Sequence, residues 1–208
     1  MQISGVILAG GKSRRMQVNK AFLAEASRPL IEIIREKVAA VAAEVIIVTN
    51  DPTAYLEVAA DQIVTDLIPR RGPLGGIHAG VEAASFSAIF VTACDMPFIT
   101  PSLINLLCQK MEETEAEAVV PFWQEKWQPL CALYHKSCLP AVERCLKEAR
   151  LKVTSFYPSI RVQPLTEDEI ATVGDPQRLF FNVNRPEDWE LARRWLRDEA
   201  IRPGKGEE

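Results

Sequence analysis

The sequence lacks the cysteine patterns of disulfide-rich domains and of zinc ribbons. Its five cysteines are an odd number, and no two of them are separated by just two residues. Disulfide frameworks use even numbers of cysteines, and many zinc sites use C-x-x-C pairs. We therefore expect neither a disulfide framework nor a cysteine-based zinc site among Cys94, Cys108, Cys131, Cys138 and Cys145.

Long apolar runs and an excess of basic residues are also missing. No apolar run approaches the ~20 residues that cross a bilayer. The amino-terminal stretch MQISGVILAGG has no basic segment and is interrupted by glycines, so it does not match a secretory signal. The net charge of −4 is opposite in sign to that of typical nucleic-acid-binding domains. These absences predict a cytoplasmic protein with neither membrane nor nucleic-acid partners.

Histidine is scarce, and its spacing does not indicate nucleophilic catalysis. The chain has two histidines, His78 and His135, and neither lies in a Ser–His–Asp or Cys–His pattern. Covalent catalysis usually needs a nucleophile with a base that is itself oriented by a third group. We expect both histidines to be structural.

The sequence does contain a regular alternation of short β-branched runs with helical patterns. Its 208 residues predict one domain at residues 1–198, followed by a disordered tail at 199–208. Alternating strands and helices predict a single-domain α/β fold, with three α/β/α layers around a mostly parallel, twisted sheet. The predicted strands cover residues 3–8, 45–49, 63–65, 88–92, 118–121 and 130–134. The predicted helices cover residues 29–43, 53–60, 76–84, 101–111, 137–149 and 186–198.

The most informative segment is the loop that follows the first predicted strand. It reads GVILAGGKSRRMQVNK from Gly5 to Lys20. Glycines let the backbone approach a ligand, and Lys and Arg side chains neutralise phosphate charge. The spacing excludes a Walker A loop, whose first glycine would stand where this chain has Val6. It also excludes a G-x-G-x-x-G fingerprint, because Lys12 and Arg15 occupy two of its glycine positions.

Carboxylates and a second glycine-rich loop follow other predicted strands. Asp66 comes directly after residues 63–65, and Asp95 follows the run that begins at Ala88. Open parallel sheets bind ligands beyond the carboxyl ends of their strands, so both acids are expected beside the first loop. Mg²⁺ takes one or two carboxylates together with phosphate oxygens, which makes Asp95 the predicted metal ligand, while Asp66 is expected either to bind the nucleoside or to assist the metal. Residues 70–76, RRGPLGG, predict a backbone approach to the ligand at a helix N-terminus.

Several different short motifs follow one another along the chain from residue 3 to about residue 195. They are L-A-G-G-x-S-x-R-M with Lys20, Asp66, G-P-L-x-G from Gly72, D-M-P from Asp95, Q-P-L from Gln128 and N-V-N-x-P-E-D from Asn182. Together they resemble the molybdenum cofactor guanylyltransferase (MobA) family. The resemblance implies a Rossmann-like fold of the nucleotide-diphospho-sugar transferase type. It also implies transfer of GMP from GTP to a molybdopterin-type cofactor with release of pyrophosphate.

The same resemblance implies roles for individual residues. It assigns nucleotide binding to Leu8, Ala9, Gly10, Lys20, Asp66 and Asp95. It assigns the metal to Asp95, and charge stabilisation in catalysis to Lys20, Arg15 and Asp95. The acceptor side is assigned to Gly75, Asn182 and Asn184, with residues 127–130 near it. The implied cofactor is Mg²⁺, and the implied partners are GTP, a molybdopterin-type cofactor, and proteins that donate this cofactor or belong to molybdoenzymes.

The first loop departs from the family pattern at two positions. Gln17 stands where members commonly have glycine, and Asn19 stands where an acid often precedes the lysine. These departures leave alternatives open: a cytidylyltransferase for the same cofactor, a nucleotidyltransferase acting on another small phosphate ester, or a non-catalytic GTP-binding and partner-recruiting module. Oligomeric state is not determined by the sequence.

Overall fold

The computed structural model of the protein describes residues 1–10, 19–68 and 71–201. The strands are β1 (Ile3–Leu8), β2 (Ala24–Glu25), β3 (Arg28–Pro29), β4 (Glu44–Val48), β5 (Gln62–Val64), β6 (Ala88–Ala93), β7 (Ala118–Trp123), β8 (Lys126–Trp127), β9 (Cys131–His135) and β10 (Val162–Leu165). The α-helices are α1 (Leu30–Ala39), α2 (Gly72–Ala83), α3 (Pro101–Thr114), α4 (Leu139–Lys147), α5 (Glu167–Ala171), α6 (Pro176–Leu179) and α7 (Pro186–Ile201). Short 3-10 helices cover Lys20–Phe22, Pro52–Tyr55, Lys136–Cys138 and Val153–Ser159.

The central sheet is mixed, with mostly parallel pairs on both sides of β1. Its strand order is β10-β7-β9-β6-β1-β4-β5, and β8 extends β7 as an antiparallel hairpin. The pairs β1–β4, β1–β6, β4–β5 and β7–β10 are parallel, whereas β9 runs antiparallel to β6 and β7. From β1 the chain proceeds first to β4 and β5 and then returns to β6 on the other side. Ligand sites in such sheets lie where the strand order reverses, which here is between β1 and β6.

Helices cover both faces of the sheet, so the predicted three-layer α/β/α fold is confirmed. Ile3 and Ile7 of β1 belong to a core that includes residues of α1 and α3. Val6, which points to the opposite face, belongs to a core that includes residues of α2 and α4. The close packing of α2 depends on Gly80, because a Cβ there would lie 2.5 Å from Val6 Cγ1. A third cluster joins α7 to α1 through Trp189 and Leu30.

Two stretches differ from the sequence predictions. The helix predicted at residues 53–60 is wrong: the chain forms only the 3-10 turn Pro52–Tyr55. Tyr55 is fully buried, and the Val58 amide donates to the Tyr55 carbonyl, so the chain turns back before an α-helix can propagate. Between residues 150 and 180 the predictions missed β10, α5 and α6. Pro164 lies within β10, which is tolerated because β10 is an edge strand.

Helices α2 and α7 extend beyond their predicted bounds. α2 begins at Gly72, four residues before the predicted start at residue 76. α7 continues to Ile201, which includes the first residues of the predicted tail. Residues 202–208 lie outside the described part of the chain. No α-helix within the described ranges is both long and apolar enough to cross a membrane.

Candidate nucleotide-binding site

A cleft of about 430 Å³ opens at the carboxyl edge of the parallel strands. Residues from each strand end near the reversal point contribute to its walls. The lining residues are Leu8, Ala9, Gly10, Asn19, Lys20, Val48, Asp66, Gly72, Pro73, Gly76, Ala93, Cys94, Asp95, Leu130 and Asn182. The cleft is therefore assembled from segments distant in sequence that meet at one edge of the sheet.

Strand register aligns the segments that form the floor of the cleft. Leu8, the last residue of β1, is paired with Val48 of β4 and with Ala93 of β6. The Cys94 amide donates to the Leu8 carbonyl at 3.1 Å, and the Ala9 amide donates to the Val48 carbonyl at 2.8 Å. The ladder thus continues one residue beyond the strands, and it brings the start of the glycine loop beside the residues that lead to Asp95.

Lys20 is the charged centre of the site. Its Nζ lies 3.3 Å from Asp95 Oδ2 and 2.8 Å from Asn184 Oδ1, so it donates to both side chains. Lys20 and Asp95 are largely buried, with 15% and 20% of their side chains exposed. The Val183 amide also donates to the Asp95 carbonyl at 2.9 Å. Since low solvent exposure strengthens electrostatic interactions, this cation is well placed to bind an anion entering the cleft.

The opposite wall combines Asp66 with the first turn of α2. Asn50 Nδ2 donates to Asp66 Oδ2 at 3.3 Å. Gly72, the first residue of α2, has φ +61, which glycine adopts at little cost, and a Cβ there would meet no atom within 4 Å. The N-cap residue Arg71 makes no side-chain cap hydrogen bond. Pro73 has no amide hydrogen, so the Gly72 and Leu74 amides are the donors of the first turn, at a helix end that favours anions.

A buried tyrosine connects the two ends of the glycine loop. The Tyr55 hydroxyl donates to the Ala9 carbonyl at 3.2 Å and accepts from Asn19 Nδ2 at 3.2 Å. The Asn19 Oδ1 accepts from the Ala21 amide and so caps the 3-10 turn that carries Lys20. Burial raises the pKa of the Tyr55 hydroxyl, so it remains a protonated donor at neutral pH. Tyr55 therefore positions both the start and the end of the loop.

We expect Tyr55→Phe to loosen the loop without removing any group that reacts. Loss of one buried hydroxyl with two partners should lower the free energy of unfolding by about 1–3 kcal/mol. KM for the nucleoside triphosphate should rise several-fold, with a smaller change in kcat. Tyr157→Phe is the matched control, because it also removes a buried hydroxyl partner, that of Tyr134 at 2.9 Å, in the core on the other face of the sheet from Tyr55. An equal rise of KM in both variants would contradict this role of Tyr55.

The thiol among the described cleft residues, Cys94, is not activated as a nucleophile. Burial, followed by the charge of Asp95, raises the pKa of the Cys94 thiol to about 12, so it is protonated at neutral pH. His135 lies outside the cleft, where its Nδ1 pairs with Ser137 Oγ at 2.9 Å. The arrangement suits noncovalent binding and charge stabilisation rather than a covalent intermediate.

Most residues that the sequence singled out come together. Seven of them line the cleft: Leu8, Ala9, Gly10, Lys20, Asp66, Asp95 and Asn182. Asn184 joins them through its hydrogen bond to Lys20. Gly75 does not line the cleft, since a Cβ there would point to Arg71 Cβ at 2.9 Å, and Gly76 takes the position at the wall. Arg15 lies outside the described residues.

Some residues of the site were not singled out from the sequence. Asn50 and Tyr55 hold Asp66 and the loop ends through side-chain hydrogen bonds. Val48 follows the pattern of the other strand ends, because it is the last residue of β4. The position of Val48 at a strand end would have identified it, whereas nothing in the sequence around Tyr55 indicates that it belongs to the site.

Comparisons with a family model, with related sequences and with solved structures give consistent matches. The chain matches the family described as the MobA-like NTP transferase domain over residues 5–159. A probable molybdenum cofactor guanylyltransferase of Pelotomaculum thermopropionicum is 41% identical over 194 residues, which cover 93% of each chain. A molybdenum cofactor guanylyltransferase of Desulfosudis oleivorans is 36% identical over 204 residues, which cover 98% of each chain. The crystal structure of molybdopterin-guanine dinucleotide biosynthesis protein A from Archaeoglobus fulgidus has a TM-score of 0.80 at 24% identity, covering 94% of this chain and 99% of that one.

Fold, cleft and sequence similarity agree on one class of enzyme, the nucleotidyltransferases. Within that class, this chain belongs to the MobA-like NTP transferase family. The resemblance inferred from the motifs is thereby confirmed.

Proposed function

We propose that the protein transfers GMP from GTP to a molybdopterin-type cofactor, forming the guanine dinucleotide cofactor and releasing pyrophosphate. The observation that carries this proposal is the position of Lys20. Its ammonium group donates hydrogen bonds to Asp95 and to Asn184 at the carboxyl edge of the sheet. A cation in that position can bind phosphate while the two flanking side chains hold the nucleotide metal and the acceptor. The names of the relatives, molybdenum cofactor guanylyltransferases, support guanine and this acceptor.

The donor set of the cleft fits Mg²⁺. Asp95 offers a carboxylate beside Lys20, and Asp66 lines the same cleft. Mg²⁺ commonly uses one or two protein carboxylates and takes its other ligands from substrate phosphates and water. We propose that Asp95 holds the ion with the triphosphate and that Asp66 binds the nucleoside. The bound ion would supply charge neutralisation on the phosphate oxygens.

The proposed reaction needs no protein base. A terminal phosphate oxygen of the acceptor attacks the α-phosphorus of GTP, and the bond from the α-phosphorus to the β-bridging oxygen breaks. Pyrophosphate leaves with that electron pair. The second pKa of a phosphate monoester is about 6, so the attacking oxygen is already anionic near neutral pH. Lys20 stabilises the developing charge, Leu8 to Gly10 position the nucleotide through their backbone, and Asn182 and Asn184 position the acceptor.

In this proposal Arg15 acts with Lys20 as a cation on the phosphates. Gly75 does not line the cleft, so it would serve the acceptor side only through its place in α2 beside Gly76, which does. The proposal also places the protein in the cytoplasm, where it would receive its acceptor from cofactor-donating proteins and pass its product to molybdoenzymes.

Comparing nucleotides tests the base and the acceptor together. Pyrophosphate release is measured with GTP, CTP or ATP, each with and without a molybdopterin acceptor. We expect release to require the acceptor and to be at least about tenfold faster with GTP, a discrimination of about 1.4 kcal/mol. Faster release with CTP would instead identify a cytidylyltransferase. GTP binding in a calorimetric titration without release would identify a non-catalytic nucleotide-binding module.

A further inference from the structure

A second cluster of potential ligands lies between α2 and α4, on one face of the sheet. His78 and Glu82 are four residues apart on α2, and Glu143 projects from α4. One ligand atom from each residue lies within 4.8 Å of the other two. In the described part of the chain, this is the only group of three or more His, Cys, Asp or Glu side chains close enough to share an ion. The cluster contains none of the cleft residues.

His78 is a buried imidazole that lacks hydrogen-bond partners among the described residues. Only 8% of its side chain is exposed, and its Nδ1 is buried without a partner. Its Nε2 points toward Glu143 Oε1 at 3.8 Å, which is too long for a hydrogen bond. Nε2 is the ring nitrogen that lies near Glu143, and it makes no hydrogen bond among the described residues, so it is the atom that can bind an ion where the carboxylates converge.

Both carboxylates can move toward a shared ion. Glu82 is exposed and the Glu143 side chain is 40% exposed, so small rotations bring their oxygens closer to the imidazole. The nearest cation is Lys147, whose Nζ lies 3.9 Å from Glu143 Oε2 and whose side chain is 78% exposed. A surface ion pair of this kind contributes little to stability, so the Glu143 carboxylate remains available to bind a metal ion.

We propose that His78, Glu82 and Glu143 bind a Zn²⁺ ion that ties α2 to α4. Zn²⁺ accepts one imidazole nitrogen and two carboxylate oxygens, with water in the fourth position of a tetrahedral site. Mg²⁺ and Ca²⁺ prefer oxygen ligands alone, so the imidazole favours a transition metal. Because the first turn of α2 contributes Gly72, Pro73 and Gly76 to the cleft, the ion would also stabilise the position of one cleft wall.

Metal titration of the intact protein tests this site without any activity assay. Zn²⁺ binding is measured by competition with a chelating dye, in the presence of a phosphine reductant and excess Mg²⁺, and Co²⁺ is titrated in parallel by visible absorption. We expect one Zn²⁺ per chain, a rise in the thermal midpoint with Zn²⁺, and a tetrahedral Co²⁺ spectrum without sulfur-to-metal charge transfer. Loss of a ligand should weaken binding at least about tenfold.

Single substitutions test which residues bind the ion. Glu82→Gln and Glu143→Gln change partly or fully exposed side chains, so they keep the proposal testable even where the buried His78→Gln fails to fold. Both are expected to weaken Zn²⁺ binding, whereas the exposed Glu57→Gln and the cleft variant Asp95→Asn are expected to bind as the wild type does. Unchanged Zn²⁺ affinity in both glutamate variants, thiolate charge transfer with Co²⁺, or loss of binding in Asp95→Asn would each overturn the proposal.

Discussion

Asp95→Asn is expected to lower metal-dependent pyrophosphate release by at least about a hundredfold, the scale seen when one electrostatic stabiliser is removed from an active site. The carboxylate lies 3.3 Å from Lys20 Nζ and belongs to the second residue after the end of the central strand β6. An amide keeps the shape and can still accept a hydrogen bond from Lys20, but it loses the charge that a magnesium–triphosphate complex requires.

The test of Asp95→Asn separates chemistry from folding. The variant should keep its fold, because the main-chain bond from the Val183 amide to the Asp95 carbonyl does not depend on the side chain. Circular dichroism and thermal midpoint check the fold, and initial rates across a magnesium titration check the site. Asp198→Asn, an exposed change on α7, is the matched control and should retain full activity. Wild-type turnover by Asp95→Asn would contradict the proposed metal site.

Lys20→Met is expected to weaken GTP binding by roughly ten- to a hundredfold. A hydrogen bond to a charged group contributes about 1.5–3 kcal/mol, and the Lys20 ammonium is the described cation that faces the cleft. Methionine retains much of the length of the apolar stem but has neither charge nor donor. The loss should be larger for GTP than for guanosine, since the nucleoside has no phosphates for the lysine to bind.

Calorimetric titration with GTP and guanosine distinguishes this electrostatic role from general damage to the cleft. Lys152→Met provides the control, because Lys152 is exposed and lies outside the cleft. Equal losses for GTP and guanosine would show that the substitution acts through the shape of the cleft instead.

The sequence allowed the architecture and the charged residues of the site to be predicted, because both obey rules of position. Buried strands are readable as β-branched runs, and ligand groups follow the ends of parallel strands, which identified Asp66 and Asp95. Other features depend on contacts between segments distant in sequence. Tyr55 lies 46 residues from Ala9, to which it donates, and nothing near Tyr55 in the sequence indicates this partner.

Local patterns were also misleading where tertiary contacts prevailed. The segment after β4 contains good helix formers, yet burial of Tyr55 and the short distance to β5 allow only a single turn. His78 and Glu82 have helical spacing that is visible in the sequence, but the third ligand, Glu143, is contributed by α4. A cluster of this kind becomes recognisable only when the packing of the two helices is known.

The contacts of Lys20 also have a consequence for synthesis. Its two partners lie 75 and 164 residues further along the chain, at Asp95 and Asn184. A ribosome therefore makes Lys20 well before either partner. During translation the ammonium group cannot make both of its contacts until Asn184 has emerged, and a fragment ending before Asn184 contains Lys20 but lacks one of its two hydrogen-bond acceptors.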